Sequence, residues 1–212
     1  MTHNVVTVVA LCAVLALPGL AEAAPSKRRR VKKNYISLVN VNTGDKITNL
    51  RLIWQDPKNR NLKYIRKDAR RRLNRFFRDR KTGKNARVPD KLLWMLYLVA
   101  YHYDRPVELV SGLRTGARNT SRHHSSKAAD IRVDGVSPKA LWQYCKRFKK
   151  VGLGWYPTSR FVHIDVRDKA HYWIDDSGPG EAPNYRPGVS QPVAEWRAQR
   201  AREQRRRQRA SR

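Results

Sequence analysis

The stretch Ser121–Gly135 reads SRHHSSKAADIRVDG, and its pattern is the starting point for inferring the fold. Its first half is polar and rich in small residues, which favours a tight loop. From Asp130 onward apolar and polar residues alternate, which predicts a β-strand with a buried face. A carboxylate therefore stands near the start of a buried strand, shortly after His123, and it needs a counter-charge there.

A second phrase, RFVHIDV at Arg160–Val166, has the same character. Because side chains alternate between the two faces of a strand, His163 and Asp165 are predicted to share one face. If the two strands lie side by side, His123, Asp130 and His163 converge from a loop and two strands.

The same rules predict the elements around these two strands. Alternation on both sides of the turn NTGD predicts a β-hairpin, and the phrases PVELVSG and VGLGWYP predict two short strands. Helices are predicted over residues 65–77, from Pro89 onward, and from residue 137 to about residue 149. Helices that precede a cluster of strands with short links are typical of an α+β fold. We therefore expect a single domain with an antiparallel central sheet flanked by helices.

The predicted cluster of His123, Asp130 and His163 has the composition of a zinc site. Two imidazoles and one carboxylate are a usual ligand set for catalytic zinc, which polarises a carbonyl and lowers the pKa of water to about 7. Asp165 is the nearest candidate for the base that takes the proton, or for a carboxylate that orients His163. Arg114 is the available cation. A packed core histidine and an Asp130–arginine ion pair are alternatives that the spacing alone leaves open.

The chain is strongly basic. It has 46 Lys and Arg against 17 Asp and Glu, a formal net charge of +29 over 212 residues. Such a charge attracts polyanions, which include nucleic acid, anionic lipid and an acidic cell wall. An apolar run over residues 5–17, followed by the A-x-A site Ala21–Ala23, predicts a secretory signal peptide. The mature chain would keep one cysteine, Cys145, which excludes an internal disulfide and a cysteine-based zinc site.

Composition also divides the chain into regions. The signal peptide is predicted over residues 1–23, a basic arm over 24–33, and the folded domain, which carries nearly all the apolar periodicity, over 34–176. Residues 177–212 pass from a Pro/Gly-rich linker to an Arg-rich tail. Both arms are predicted to be solvated and disordered, and contact with an anionic polymer is their alternative role.

The residues SRHHSSKAAD resemble the S-x-H-x-x-G-x-A-x-D motif of the zinc D-alanyl-D-alanine carboxypeptidase family. Ser126 stands where that family usually has glycine, so the loop must bend differently if the position needs a positive φ. Further phrases resemble the periplasmic murein endopeptidase branch of the family, and the likeness runs from about residue 34 to residue 173. The motif positions that match are Ser121, His123, Ala128 and Asp130, and the further phrases are SGLR at 111–114, GLGWYP at 152–157 and FVHID at 161–165.

This resemblance implies a zinc metallopeptidase that hydrolyses amide bonds in peptidoglycan stem peptides or cross-links. It implies that Arg114 holds substrate or stabilises the oxyanion. Other members carry an acidic base three residues before the last histidine, and Arg160 occupies that position here, which leaves Asp165 as the expected base. The zinc ligands that it implies are His123, Asp130 and His163.

Two functions are therefore weighed. The first is a zinc-dependent peptidoglycan endopeptidase or carboxypeptidase from a bacterium, monomeric, without a membrane span, and secreted, periplasmic or associated with the cell wall. The second is a catalytically degenerate secreted protein that binds anionic wall polymer or nucleic acid through its Arg-rich tail, with salt-dependent affinity. His124 is an alternative ligand, a substrate contact or an exposed loop residue.

Overall fold

The computed structural model of the protein describes residues 33–186, 191–192 and 208–209. The predicted signal peptide, almost all of the basic arm and most of the Arg-rich tail lie outside these residues. Within the described part, no helix is long and apolar enough to cross a membrane.

In the described part of the chain, ten strands form two sheets. In chain order they are β1 (Tyr35–Asn40), β2 (Lys46–Arg51), β3 (Ile53–Gln55), β4 (Lys63–Ile65), β5 (Val107–Ser111), β6 (Ala128–Val133), β7 (Val151–Tyr156), β8 (Phe161–Val166), β9 (His171–Ile174) and β10 (Gln191–Pro192). The main sheet has the order β10-β9-β7-β8-β6-β5-β1-β2, and β3 pairs with β4 in a separate hairpin. All neighbours in the main sheet are antiparallel except the pairs β1–β5 and β7–β9, which are parallel.

Between residues 33 and 186, three helices accompany the sheet: α1 (Lys67–Phe76), α2 (Asp90–Tyr103) and α3 (Pro138–Cys145). The side chain of Ser137 caps α3 by accepting from the backbone N–H of Ala140 at 3.2 Å, and Pro138 fits the first turn because it has no N–H to satisfy. This helix is shorter than the sequence predicts. The helix predicted from residue 65 begins later, because Ile65 pairs with Ile53 in the small hairpin. With these adjustments the predicted α+β fold is confirmed.

Helices α2 and α3 pack against one face of the main sheet. Both contact β6 and β8, α2 also contacts β1 and β5, and α3 also contacts β7. Val162 and Ile164 of β8 are wholly buried in the core that these helices share. By strand alternation His163 and Asp165 therefore point to the opposite face. That face, which α2 and α3 leave uncovered, carries the candidate site.

Two glycines of β7 lie beside the candidate site, and the side chains of neighbouring strands occupy the space next to them. Gly154 pairs with His163 on one side and with Trp173 on the other. A Cβ at Gly154 would overlap the indole ring of Trp173, and a Cβ at Gly152 would overlap the carboxylate of Asp165. Both positions therefore require the absence of a side chain, because neighbouring groups occupy the volume that it would fill.

Candidate metal centre

Three ligand atoms converge on the open face of the sheet. Nε2 of His123 lies 3.1 Å from Nδ1 of His163 and 3.3 Å from Oδ1 of Asp130, and the latter two atoms are 2.9 Å apart. Tetrahedral zinc with ligands at about 2.0–2.1 Å places neighbouring ligand atoms about 3.3–3.4 Å apart. The triangle is therefore close to the size that a zinc ion needs, and the three residues form a group that could hold a metal ion.

The sheet register produces this convergence. Asp130 of β6 lies directly opposite His163 of β8, so the two side chains leave adjacent strands at the same level. His123 comes from the loop before β6. Its backbone carbonyl accepts from the N–H of Arg114 at 3.1 Å, which ties this loop to the end of β5. A loop and two strands thus bring His123, Asp130 and His163 together.

The second nitrogen of each imidazole faces an acceptor. Nδ1 of His123 lies 2.7 Å from the carbonyl oxygen of Gly112, and Nε2 of His163 lies 3.1 Å from Oδ2 of Asp165. A carbonyl or a carboxylate can only accept, so each of these nitrogens donates its proton there. In neutral imidazoles the other two nitrogens then carry lone pairs, and both point toward the carboxylate of Asp130. Such an arrangement of acceptors is suited to a cation.

The pKa values of the residues in this cluster depend on one another. Burial opposes ionisation of Asp130, but His123 and His163 keep its pKa well below the usual range. Burial alone would lower the pKa of His163, yet the carboxylates of Asp130 and Asp165 beside its two ring nitrogens raise it above the ordinary value. Asp130 is therefore a carboxylate at neutral pH, which is the form that binds a metal ion.

Asp165 is wholly buried and engaged on two sides. It accepts from Nε2 of His163, and its two oxygens accept from the guanidinium of Arg167, with Nε at 2.7 Å. Burial raises the pKa of a carboxyl group, but these partners hold the pKa of Asp165 well below its usual range. Of the two roles that the sequence suggests for Asp165, these contacts favour the one that orients His163.

The cluster opens onto a groove of about 870 Å³. Asp130 lies in its lining, and Arg114 lines the same groove with an exposed side chain. Tyr156 and Phe161, whose rings stack at 4.4 Å between centroids, line it beside the metal centre. His124 is not part of the cluster, because its Nδ1 lies 3.1 Å from the carbonyl oxygen of Ala117. A concave site with a possible metal centre beside it is a typical position for catalysis.

Comparison with known proteins identifies the family. The family described as peptidoglycan L,D-endopeptidase MepK matches residues 28–173. The chain belongs to this family. The MepK endopeptidase of Escherichia coli K12 is 26% identical over 174 residues, which cover 76% of this chain and 88% of the relative. The protein of that name from Shigella flexneri is 26% identical. The probable MepK endopeptidase of Haemophilus influenzae is 23% identical. No solved structure matches the chain.

Membership of the MepK family confirms the resemblance inferred from the motif. Ser126, which replaces the motif glycine, adopts φ 56°, so it takes up the left-handed conformation that suits glycine. Its hydroxyl group is buried and has no hydrogen-bond partner among the described residues. A conformation of this kind costs about 1–2 kcal/mol in a residue other than glycine.

Asp79 is a site residue that the sequence did not indicate. It lies in the loop after α1, is 5% exposed, and accepts from the backbone N–H and the hydroxyl of Thr115 at 2.5 and 2.6 Å. Its other oxygen accepts from the N–H groups of Lys81 and Thr82 at 2.7 and 3.2 Å. Asp79 thus joins two loops and fixes the residue that follows Arg114. The phrase RDRKTG around Asp79 contains a turn former, but nothing in it indicates the contact with Thr115, which lies 36 positions away.

Replacing Asp79 by asparagine is expected to destabilise the protein by about 2 kcal/mol at pH 7, since hydrogen bonds to a charged group are lost. The hydrogen bond from Thr115 holds the pKa of Asp79 well below its usual range. Because the folded pKa is depressed, the stabilisation is complete above the unfolded value of about 3.9 and is lost as the pH falls through the folded pKa. Urea unfolding at several pH values should show the difference from wild type shrinking below pH about 4. Asp134→Asn, at an exposed carboxylate paired with Arg105, is the control and should change little. An unchanged stability of Asp79→Asn at pH 7 would contradict this account.

Proposed function

We propose that this protein is a zinc-dependent endopeptidase that hydrolyses amide bonds in peptidoglycan cross-links or stem peptides, in the periplasm or at the cell wall. Its membership of the MepK family supports the substrate and the reaction, because its relatives are named as peptidoglycan L,D-endopeptidases. The observation that carries the zinc dependence is the convergence of two imidazole lone pairs and one carboxylate within 3.3 Å.

His123, Asp130 and His163 would hold the ion. When bound, zinc would polarise the carbonyl of the scissile amide and make a water molecule acidic enough to attack it near neutral pH. Asp165 would keep His163 in the tautomer and orientation that the metal requires, because it accepts the proton of Nε2. Arg167 would hold Asp165 in place through its paired hydrogen bonds.

Arg114 would act on the substrate itself. It lines the groove, and no ion pair joins its guanidinium to another described residue. An unpaired guanidinium is free to bind a carboxylate of the peptide or to stabilise the negative charge that develops on the carbonyl oxygen. The basic surface of the chain would also favour encounter with an acidic wall.

Metal removal and product analysis test this proposal. The purified protein should contain about one zinc ion per chain by mass spectrometry of the metals, and it should release peptides from purified peptidoglycan. Chelation should lower the rate by at least about a thousandfold, and added zinc should restore it. Mass spectrometry of the released peptides would identify the cleaved bond. If the zinc-loaded protein releases nothing and only salt-sensitive binding to the wall remains, the polyanion-binding alternative replaces the proposal.

A further inference from the structure

The groove extends beyond the metal centre onto residues 177–186, here called the distal segment. Its members Ser177, Glu181 and Tyr185 line the groove. The family match ends at residue 173, so the whole distal segment lies outside it. The sequence predicted a linker here, but the described chain continues along the site up to Arg186.

The distal segment is fastened to the sheet at both ends. Oδ1 of Asp175, a residue that is 2% exposed, accepts from the N–H groups of Ser177 at 3.0 Å and Asn184 at 2.9 Å. Arg186 donates its backbone N–H to Ile174 at 3.0 Å, and its guanidinium forms a paired contact with Asp176. The segment is therefore held as a wall of the groove by contacts that do not use its groove-lining side chains.

The loop between β7 and β8 adds a further support. The hydroxyl of Thr158 donates to the carbonyl of Asp176 at 2.9 Å, and that of Ser159 donates to the carbonyl of Ser177 at 3.1 Å. This loop lies next to the stacked rings beside the metal centre. The position of the distal segment is thus coupled to the floor of the groove.

The two sides of the groove differ in charge. On the β5 side, Arg80, Lys81 and Arg114 line it, and none of them forms an ion pair with another described residue. On the β9 side, the distal segment presents the exposed carboxylate of Glu181, which accepts the N–H of Gly178 at 2.6 Å. Tyr185, with 53% of its surface exposed, lies on the same side.

The width of the sheet allows one ligand to reach both sides. Strands β5 and β9 are separated by β6, β8 and β7, which makes four strand intervals. At about 4.8 Å per interval, strands β5 and β9 are roughly 19 Å apart. About six residues of extended peptide cover this distance. A cross-linked pair of stem peptides is long enough to do so.

We propose that Glu181 and Tyr185 form a substrate subsite that binds a free amino group of the cross-linked peptide, while its carboxylates lie toward Arg80, Lys81 and Arg114. This inference rests on the proposed endopeptidase function and adds a specificity to it. Glu181 repels carboxylates and attracts an ammonium group, and the ring of Tyr185 supplies an apolar surface beside it. The ligand is thus a peptide with opposite charges at its two ends, oriented across the metal centre.

Two matched substrates test the subsite: a synthetic cross-linked stem-peptide dimer with a free amino group, and the same dimer with that group acetylated. Glu181→Gln should raise KM for the free-amine dimer by about fivefold, as expected for a partly exposed ion pair, and leave kcat within about twofold. It should leave KM for the acetylated dimer unchanged. Tyr185→Ala should raise KM for both dimers, since the ring contact does not depend on charge. Asp134→Asn, outside the groove, is the control and should change neither.

The outcomes distinguish failure of the proposed subsite from failure of the proposed endopeptidase function. An equal effect of Glu181→Gln on the two dimers, or no effect on either, overturns the subsite while wild-type hydrolysis still supports the endopeptidase function. If the wild-type holoenzyme cleaves neither dimer, the proposed function fails. Calorimetric Kd values of the uncleaved dimers for wild type and Glu181→Gln then decide the subsite: a weaker Kd confined to the free-amine dimer supports it, and any other pattern overturns it.

Discussion

Replacing His123 by alanine should remove bound zinc and lower kcat/KM by at least about a thousandfold, whereas the same change at His124 should leave both within about twofold. The two residues are adjacent in sequence and have the same side chain, yet only His123 reaches the cluster. Its Nε2 lies within 3.3 Å of both other ligand atoms, while Nδ1 of His124 faces the carbonyl of Ala117. Zinc content and hydrolysis of purified peptidoglycan are the measurements.

The expected loss at His123 must be distinguished from unfolding. Circular dichroism and the unfolding midpoint of each variant, compared with zinc-free wild type, provide this check. His123→Ala should match the zinc-free wild-type protein more closely than the zinc-loaded one, because the missing ligand and the missing ion have the same consequence. A folded His123→Ala protein that keeps one zinc ion and wild-type activity would refute the role of His123 as a zinc ligand. If His124→Ala lost zinc instead, His124 would be the ligand.

The convergence of the ligand atoms could be predicted because it depends on local rules. The alternation in RFVHIDV places His163 and Asp165 on one face, and AADIRV places Asp130 within a strand. When the two strands pair as neighbours, Asp130 and His163 meet only in a register that sets them opposite each other, and the structure has this register. The other strands and helices that the sequence predicted were predictable for the same reason, since each follows from a periodicity of a few residues, whereas the short strands β3, β4, β9 and β10 were not predicted.

The partners that hold the site could not be predicted in this way. Asp79 and Thr115 lie 36 positions apart and meet only because the loop after α1 packs against the end of β5. The parallel pairs β1–β5 and β7–β9 likewise join strands that no short turn connects, so no turn motif in the sequence predicts these pairings. The composition of the distal segment predicted a linker because its Pro and Gly residues give no periodicity, although Asp175 and Asp176 fasten it to the sheet.

Replacing Arg114 by alanine should lower kcat by about a hundredfold while zinc content stays at the wild-type value. Arg114 lines the groove into which the metal centre opens, and its side chain is exposed and unpaired among the described residues. Its backbone N–H, not its side chain, ties the loop of His123 in place, so truncation of the side chain leaves the metal ligands undisturbed. A loss confined to kcat would assign Arg114 to the developing oxyanion, and a loss confined to KM would assign it to a carboxylate of the ground-state substrate.

Arg118→Ala is the matched control for Arg114, since Arg118 is an exposed arginine four residues further along that does not line the groove. It removes the same charge from the same surface, so both variants weaken general attraction to an acidic wall equally. Arg114→Lys keeps the charge but loses the planar fork of donors, and it should recover only part of the activity. Equal rates for the Arg114→Ala and Arg118→Ala variants would show that Arg114 contributes charge alone, and its role at the reacting carbonyl would be withdrawn.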